Sequence, residues 1–144
     1  MTAFRRWGGR AAAGLLLLAA STAASAECEV SPQEVDFGAY DPLSATALNG
    51  VGNVQVTCDL PTSFVVSLGP GTGTVANRRM TGGAAQLNYN LYKDAARLFV
   101  WGEGLAGVST LGTNVQLTVY GRIPAGQTVP ADVYVDSVAV TVDF

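Results

Sequence analysis

The chain has 144 residues, of which 49% are hydrophobic and only 13% charged, with two cysteines and no histidine. That length suits one domain around one core, and the missing imidazole removes Ser-His-Asp and Cys-His catalysis from the outset. A sequence pI of about 4.7 speaks against a nucleic-acid ligand, because phosphates are met by clustered lysine and arginine.

Residues 1–26 read as an export signal. Arg5, Arg6 and Arg10 make a positive front, residues 11–20 form an apolar run, and Ala24-Ser25-Ala26 offers the small side chains a signal peptidase needs. The run is short for a bilayer span, and the surroundings of Arg5-Arg6 favour ordinary secretion over a twin-arginine route. The expected mature domain is 27–144. Three of the eight basic residues fall in the leader, so the mature part keeps five against all eleven acidic ones, a formal charge of −6. In an exported chain an even pair of cysteines points to a bridge, here Cys28 to Cys58. Two thiolates without histidine do not fill a zinc shell, and no metal or other cofactor is expected.

Beyond the leader, short apolar alternations are broken by turn residues, without a convincing helix. Residues 51–58 put Val54, Val56 and Cys58 on one side and Gln55 and Thr57 on the other, and Pro61 closes the segment. Residues 64–68 repeat the pattern through Phe64, Val66 and Leu68, and 69–73 is a loop by composition. Next, Leu87, Tyr89 and Leu91 face one way and Asn88, Asn90 and Tyr92 the other. A turn at Lys93-Asp94 leads into a short apolar run, 98–101, that ends in Gly102-Glu103-Gly104. Residues 113–120 alternate through Val115, Leu117 and Val119.

The final stretch, 133–144, places Tyr134, Val138, Val140, Val142 and Phe144 on one face together with Asp136, while Ser137, Thr141 and Asp143 take the other. Six or seven such segments at two-residue period imply an all-β antiparallel sandwich. In this sequence no turn and no returning strand follow Phe144. The sheet beside the last strand is therefore expected to be completed from elsewhere in the chain or by another molecule.

Chemistry has few candidates. Asp94 and Glu103 make a conceivable glycosidase pair, but acids in turns are common and no further group converges on them. Arg78-Arg79 reads as a solvated loop pair, with an anionic sugar or a neighbouring subunit's acids as the sharper alternative. Tyr40, Tyr92, Trp101, Tyr120 and Tyr134 are candidates for stacking on a surface glycan, although aromatics in a sandwich more often pack. Asp36, Asp41, Asp132 and Asp136 lack the dense spacing of a calcium loop. No catalytic residue is assigned.

Several strings carry a resemblance. They are Asp36-Phe37-Gly38-Ala39-Tyr40-Asp41-Pro42; Cys58 at its strand end; Arg79-Met80; Leu87-Asn88-Tyr89-Asn90-Leu91-Tyr92-Lys93-Asp94; Trp101-Gly102-Glu103-Gly104; Tyr120-Gly121-Arg122-Ile123-Pro124-Ala125-Gly126-Gln127; and the closing strand. In this order, with this cysteine pair, the chain resembles the spore coat protein U domain family, which includes subunits of archaic chaperone-usher pili. The resemblance implies an immunoglobulin-like sandwich lacking its last strand. It also implies a periplasmic chaperone, an outer-membrane usher and other pilus subunits as partners, with a final place on the cell surface or in a secreted coat.

The strand-acceptor edge is then expected at Tyr134, Val138, Val140, Val142 and Phe144. One departure is Asp132, where the family usually has glycine; a positive φ there would strain the strand start. With cleavage after Ala26, only Glu27 precedes Cys28, too little for a donor strand. The chain is thus expected to accept a strand without giving one, as a tip or minor subunit would. The alternatives are a secreted carbohydrate-binding module and a self-contained coat protein whose residues 27–35 fold back into the gap.

Overall fold

A computed structural model describes residues 25–144; the expected leader, apart from Ser25 and Ala26, lies outside the described residues. The strands are β1 (Cys28–Asp36), β2 (Leu48–Leu68), β3 (Arg78–Gly82), β4 (Ala85–Tyr92), β5 (Val108–Ile123) and β6 (Val140–Asp143). A three-residue 3-10 turn, Gly104–Ala106, precedes β5. The pairs run in the order β1-β2-β5-β4-β3, all antiparallel, with β6 also on β2.

The segments expected at 51–58 and 64–68 are one 21-residue strand, β2. Pro61 does not end it, because the ladder with β5 breaks register between Thr57 and Thr62. A residue without an N–H costs no ladder bond in such an irregularity. Alternation then resumes in phase, so Val54, Val56, Cys58, Phe64, Val66 and Leu68 are all buried.

β4 is the corner of the sheet. Residues 85–89 pair with β3, whereas only Asn90, Leu91 and Tyr92 pair with β5. The turn from one partner to the other folds the sheet over its own apolar face. Met80, Leu87, Tyr89, Leu91, Val119 and Ile123 thereby meet the β2 residues in one core.

β1 and β6 flank the same edge of β2 at opposite ends. β1 pairs along Val51 to Cys58, and β6 along Val65 to Leu68. The Cys28–Cys58 disulfide ties the start of β1 to β2 at a register pair. Closing a loop of that size stabilises the fold by roughly 3 to 4 kcal/mol on the chain-entropy estimate.

The closing stretch is less regular than its alternation suggests. Only Val140–Asp143 is strand, and its neighbour is the chain's own β2. Val135 forms an isolated bridge with Thr81 of β3, and the Gly69 amide donates to Ala139 O at 2.9 Å. Residues 133–143 thus cross from the β3 edge to the β2 edge. A segment that changes sheets cannot keep one continuous ladder.

Candidate strand-acceptor groove

Between the β1 end of the molecule and the crossing segment lies a groove of about 960 Å³. One wall is 32–40 with Pro42, the other 129–138 with Val140, and the floor is core: Val54, Leu68, Met80, Leu87, Tyr89 and Val119 among others. β1 ends the strand order, and 133–138 is held to β3 through Val135 alone. Each wall therefore offers backbone N–H and C=O groups that no further strand among the described residues pairs. Such groups are a template for an added strand.

The first wall is seated by glycines. A Cβ on Gly121 would stand 2.5 Å from the Phe37 ring, and one on Gly50 2.8 Å from Asp36 O. Bare backbone at this paired position lets the Phe37 ring approach the sheet closely, where it meets Tyr89 edge-on at 6.1 Å. The Tyr40 hydroxyl donates to Pro124 O at 2.8 Å and accepts from the Gln127 amide at 2.9 Å. Gln127 in turn accepts from Asn88 N and donates to Asn88 O. The Tyr40 and Gln127 strings noted in the sequence are therefore a brace between this wall and β4.

The second wall is anchored by Asp136. Its carboxylate accepts from Thr72 N (3.0 Å), Thr72 Oγ1 (2.8 Å), Ser137 N (3.0 Å) and the Tyr89 hydroxyl (2.5 Å). Gly71, at φ 59°, makes the approach feasible, since a Cβ there would lie 2.1 Å from Asp136 Oδ2. Burial, followed by the bond to Asp136, pushes the Tyr89 phenol far above its ordinary value of 10.0. It stays neutral and a donor at any working pH.

Beneath this wall sits Arg78, and here the expected solvated loop pair is overturned. Arg78 is 0% exposed, whereas Arg79 faces solvent. The guanidinium donates to Gly69 O (2.9 Å), Asn90 Oδ1 (2.7 Å), Leu68 O (3.0 Å) and Trp101 O (2.7 Å). A planar fork with five N–H donors is the side chain that can satisfy several converging carbonyls. Burial lowers its pKa, opposed by Tyr89, Asp136 and Glu103, yet guanidinium remains charged.

Asn90, expected on the solvent side of β4, is buried for the same reason: it accepts from Arg78 and donates to Val75 O and Ala76 O. Trp101 is 1% exposed and donates from Nε1 to Val66 O at 2.9 Å, which removes it from the candidate glycan platform. Tyr120 lies under the Arg97 guanidinium at 5.5 Å.

Asp132 also departs from expectation. Arg97, at φ 56°, is the non-glycine residue with positive φ among those described, so Asp132 carries no left-handed strain; its Oδ1 accepts from Val133 N at 2.7 Å. Asp94 accepts from the Leu98 and Phe99 amides. Those bonds, Phe99's first, hold its carboxyl below the ordinary 3.8, the wrong direction for a general acid.

Of the expected acceptor edge, Tyr134, Val138 and Val140 line the groove. Val142 is half-buried opposite Val66, outside the lining, and Phe144 is 65% exposed beyond β6. Sequence reasoning missed Phe37, Tyr89 and Met80 as groove residues. Their signal was present in the family-like strings, but alternation alone assigns them to core.

The chain is an all-β, immunoglobulin-like domain whose sheet leaves an apolar groove between two polypeptide edges. The Spore Coat Protein U domain profile matches residues 15–141, and the chain belongs to that family. Protein U of Myxococcus xanthus is 38% identical over 128 residues, covering 76% of this chain and 71% of that protein. A similar fold occurs in the crystal structure of the CsuC–CsuE chaperone–tip adhesion subunit pre-assembly complex from the archaic chaperone-usher Csu pili of Acinetobacter baumannii. The TM-score is 0.60 at 25% identity, over 83% of this chain and 40% of that one. The chain thus spans less than half the length of this structural relative.

Proposed function

We propose that residues 27–144 form an exported, non-enzymatic subunit of a chaperone-usher type pilus or surface coat, whose groove receives an extended strand from a partner. The observation that carries this reading is the groove itself, about 960 Å³ over an apolar floor and between edges able to pair a strand. The similarity to a chain of a chaperone–subunit complex supports the same class. A periplasmic chaperone fills the groove first, and an adjoining subunit replaces it at an outer-membrane usher.

With the leader removed after Ala26, one residue precedes Cys28, and β1 itself is committed to β2. Such a subunit accepts a strand without donating one, which suits a tip or minor position in adhesion or biofilm formation. A self-contained coat protein is the second reading, favoured by Phe37, whose ring already lies within the groove against Tyr89.

Co-expression with a periplasmic pilus chaperone, followed by purification, tests the proposal. A one-to-one complex is expected, with the yield of soluble chain falling severalfold when the chaperone is absent. A soluble monomer recovered equally well without any partner would support the self-contained reading instead. Mass spectrometry of the mature N-terminus checks cleavage after Ala26, and long homopolymers of this chain alone would contradict the tip assignment.

A further inference from the structure

The groove walls have one sign of charge. Glu34 and Asp36 stand on the first wall, Asp132 and Asp136 on the second, and no lysine or arginine lines the groove among the described residues. The five basic side chains beyond the leader bond to neutral oxygens elsewhere. Arg78 is spent on its four buried acceptors. Arg79 donates to Gln86 Oε1, Lys93 to Gly107 O, Arg97 to the carbonyls of Gly121, Ala95 and Gly50, and Arg122 to Asn49 Oδ1.

Asp136 is partly answered by its own donors and by Arg78 behind it. Glu34, Asp36 and Asp132 are exposed. Asp36 accepts from Gly38 N and Asp132 from Val133 N, bonds that leave both charges in place.

An extended occupant alternates its side chains: every second one enters the apolar floor, and those between point out past the rims. The outward positions then run between two acidic walls. Opposite charges on neighbouring strands attract and like charges repel, and at physiological salt charges within about 8 Å of each other still interact.

From this we infer that the strand accepted here is apolar at alternate positions with lysine or arginine between them, so that the acidic walls select a basic donor strand. The inference rests on the acceptor reading of the groove.

Three synthetic peptides test it, each with the same alternating valine and isoleucine positions and with lysine, glutamine or glutamate between them. Binding to the full chain is followed by fluorescence anisotropy at 50 and 500 mM NaCl (about 14 and 4 Å of screening length). The expected order is lysine, then glutamine, then glutamate, with about a tenfold span from first to last at low salt, as a few exposed pairs would give. That span should shrink at high salt and narrow in a Glu34→Gln, Asp132→Asn double variant, whose changes are isosteric and exposed and leave Asp36 and Asp136 charged. Equal binding of all three peptides at both salts would overturn the charge selection while leaving the acceptor groove intact. Failure of every peptide to bind would overturn both.

Discussion

Replacing Arg78 by methionine keeps similar bulk and removes the donors that four converging oxygens use, namely Gly69 O, Leu68 O, Trp101 O and Asn90 Oδ1. A buried acceptor left without a partner costs about 1 to 3 kcal/mol. The variant also avoids desolvating a guanidinium, which offsets part of that loss. Removing one partner of a buried charged network costs about 3 to 5 kcal/mol by precedent, and that is the expected net loss. Against a domain stability of roughly 5 to 15 kcal/mol it is a large share. Urea unfolding of residues 27–144 followed by Trp101 emission reads it directly, because Trp101 is buried beside the site and is the one tryptophan of that stretch. The midpoint should fall by about 2 M at an m-value of roughly 2 kcal/mol/M. Arg78→Lys, with charge but without the fork, should fall between the two. A methionine variant whose midpoint lies within about 0.3 M of the wild type would refute the claim that this guanidinium holds the wall and floor together.

The remaining predictions concern the walls and the loops. Tyr89→Phe should cost about 1.5 to 3 kcal/mol, the value of a hydrogen bond to a charged group, read as a shift in the same urea midpoint. Tyr89's pKa is raised in the fold, so its contribution is complete below 10.0 and is lost only as pH climbs through the higher folded value. An alkaline spectrophotometric titration should therefore leave one tyrosine unionised until the protein unfolds. Asp94 is shifted the opposite way: its bonds to the Leu98 and Phe99 amides persist above 3.8 and are lost as pH falls through the lower folded value. Exchange at those two amides should accelerate in strong acid, and in Asp94→Ala at neutral pH. Val138→Glu and Val140→Glu should abolish co-purification with the chaperone, whereas Thr141→Ser should leave it unchanged, since Thr141 faces solvent.

Alternation was a dependable guide wherever a strand keeps one dry face. It placed Val54, Val56, Leu87, Leu91 and Val119 in the core, and all are buried. It failed where polar groups converge. Nothing local distinguishes Arg78 from Arg79, and only the folded arrangement brings Leu68, Gly69, Asn90 and Trp101 around the former. Pro61 misled because a register break is a property of two strands, and one strand's sequence does not show it. The closing stretch alternates throughout, yet it crosses from β3 to β2 and is strand for only four residues. Of the five residues expected at the apolar edge, Tyr134, Val138 and Val140 line the groove and Val142 and Phe144 do not; the other wall, seated by Phe37 on glycine backbone, depends on contacts between distant segments.

The central claim, that the two walls receive an added strand, is tested most directly by hydrogen exchange of the chain in complex with the proposed chaperone against the chain alone. Residues 33–36 on one wall and 133–138 on the other should gain protection together, because a strand laid between them pairs with both edges. Protection confined to a surface away from these segments, or unchanged exchange at both, would contradict the account.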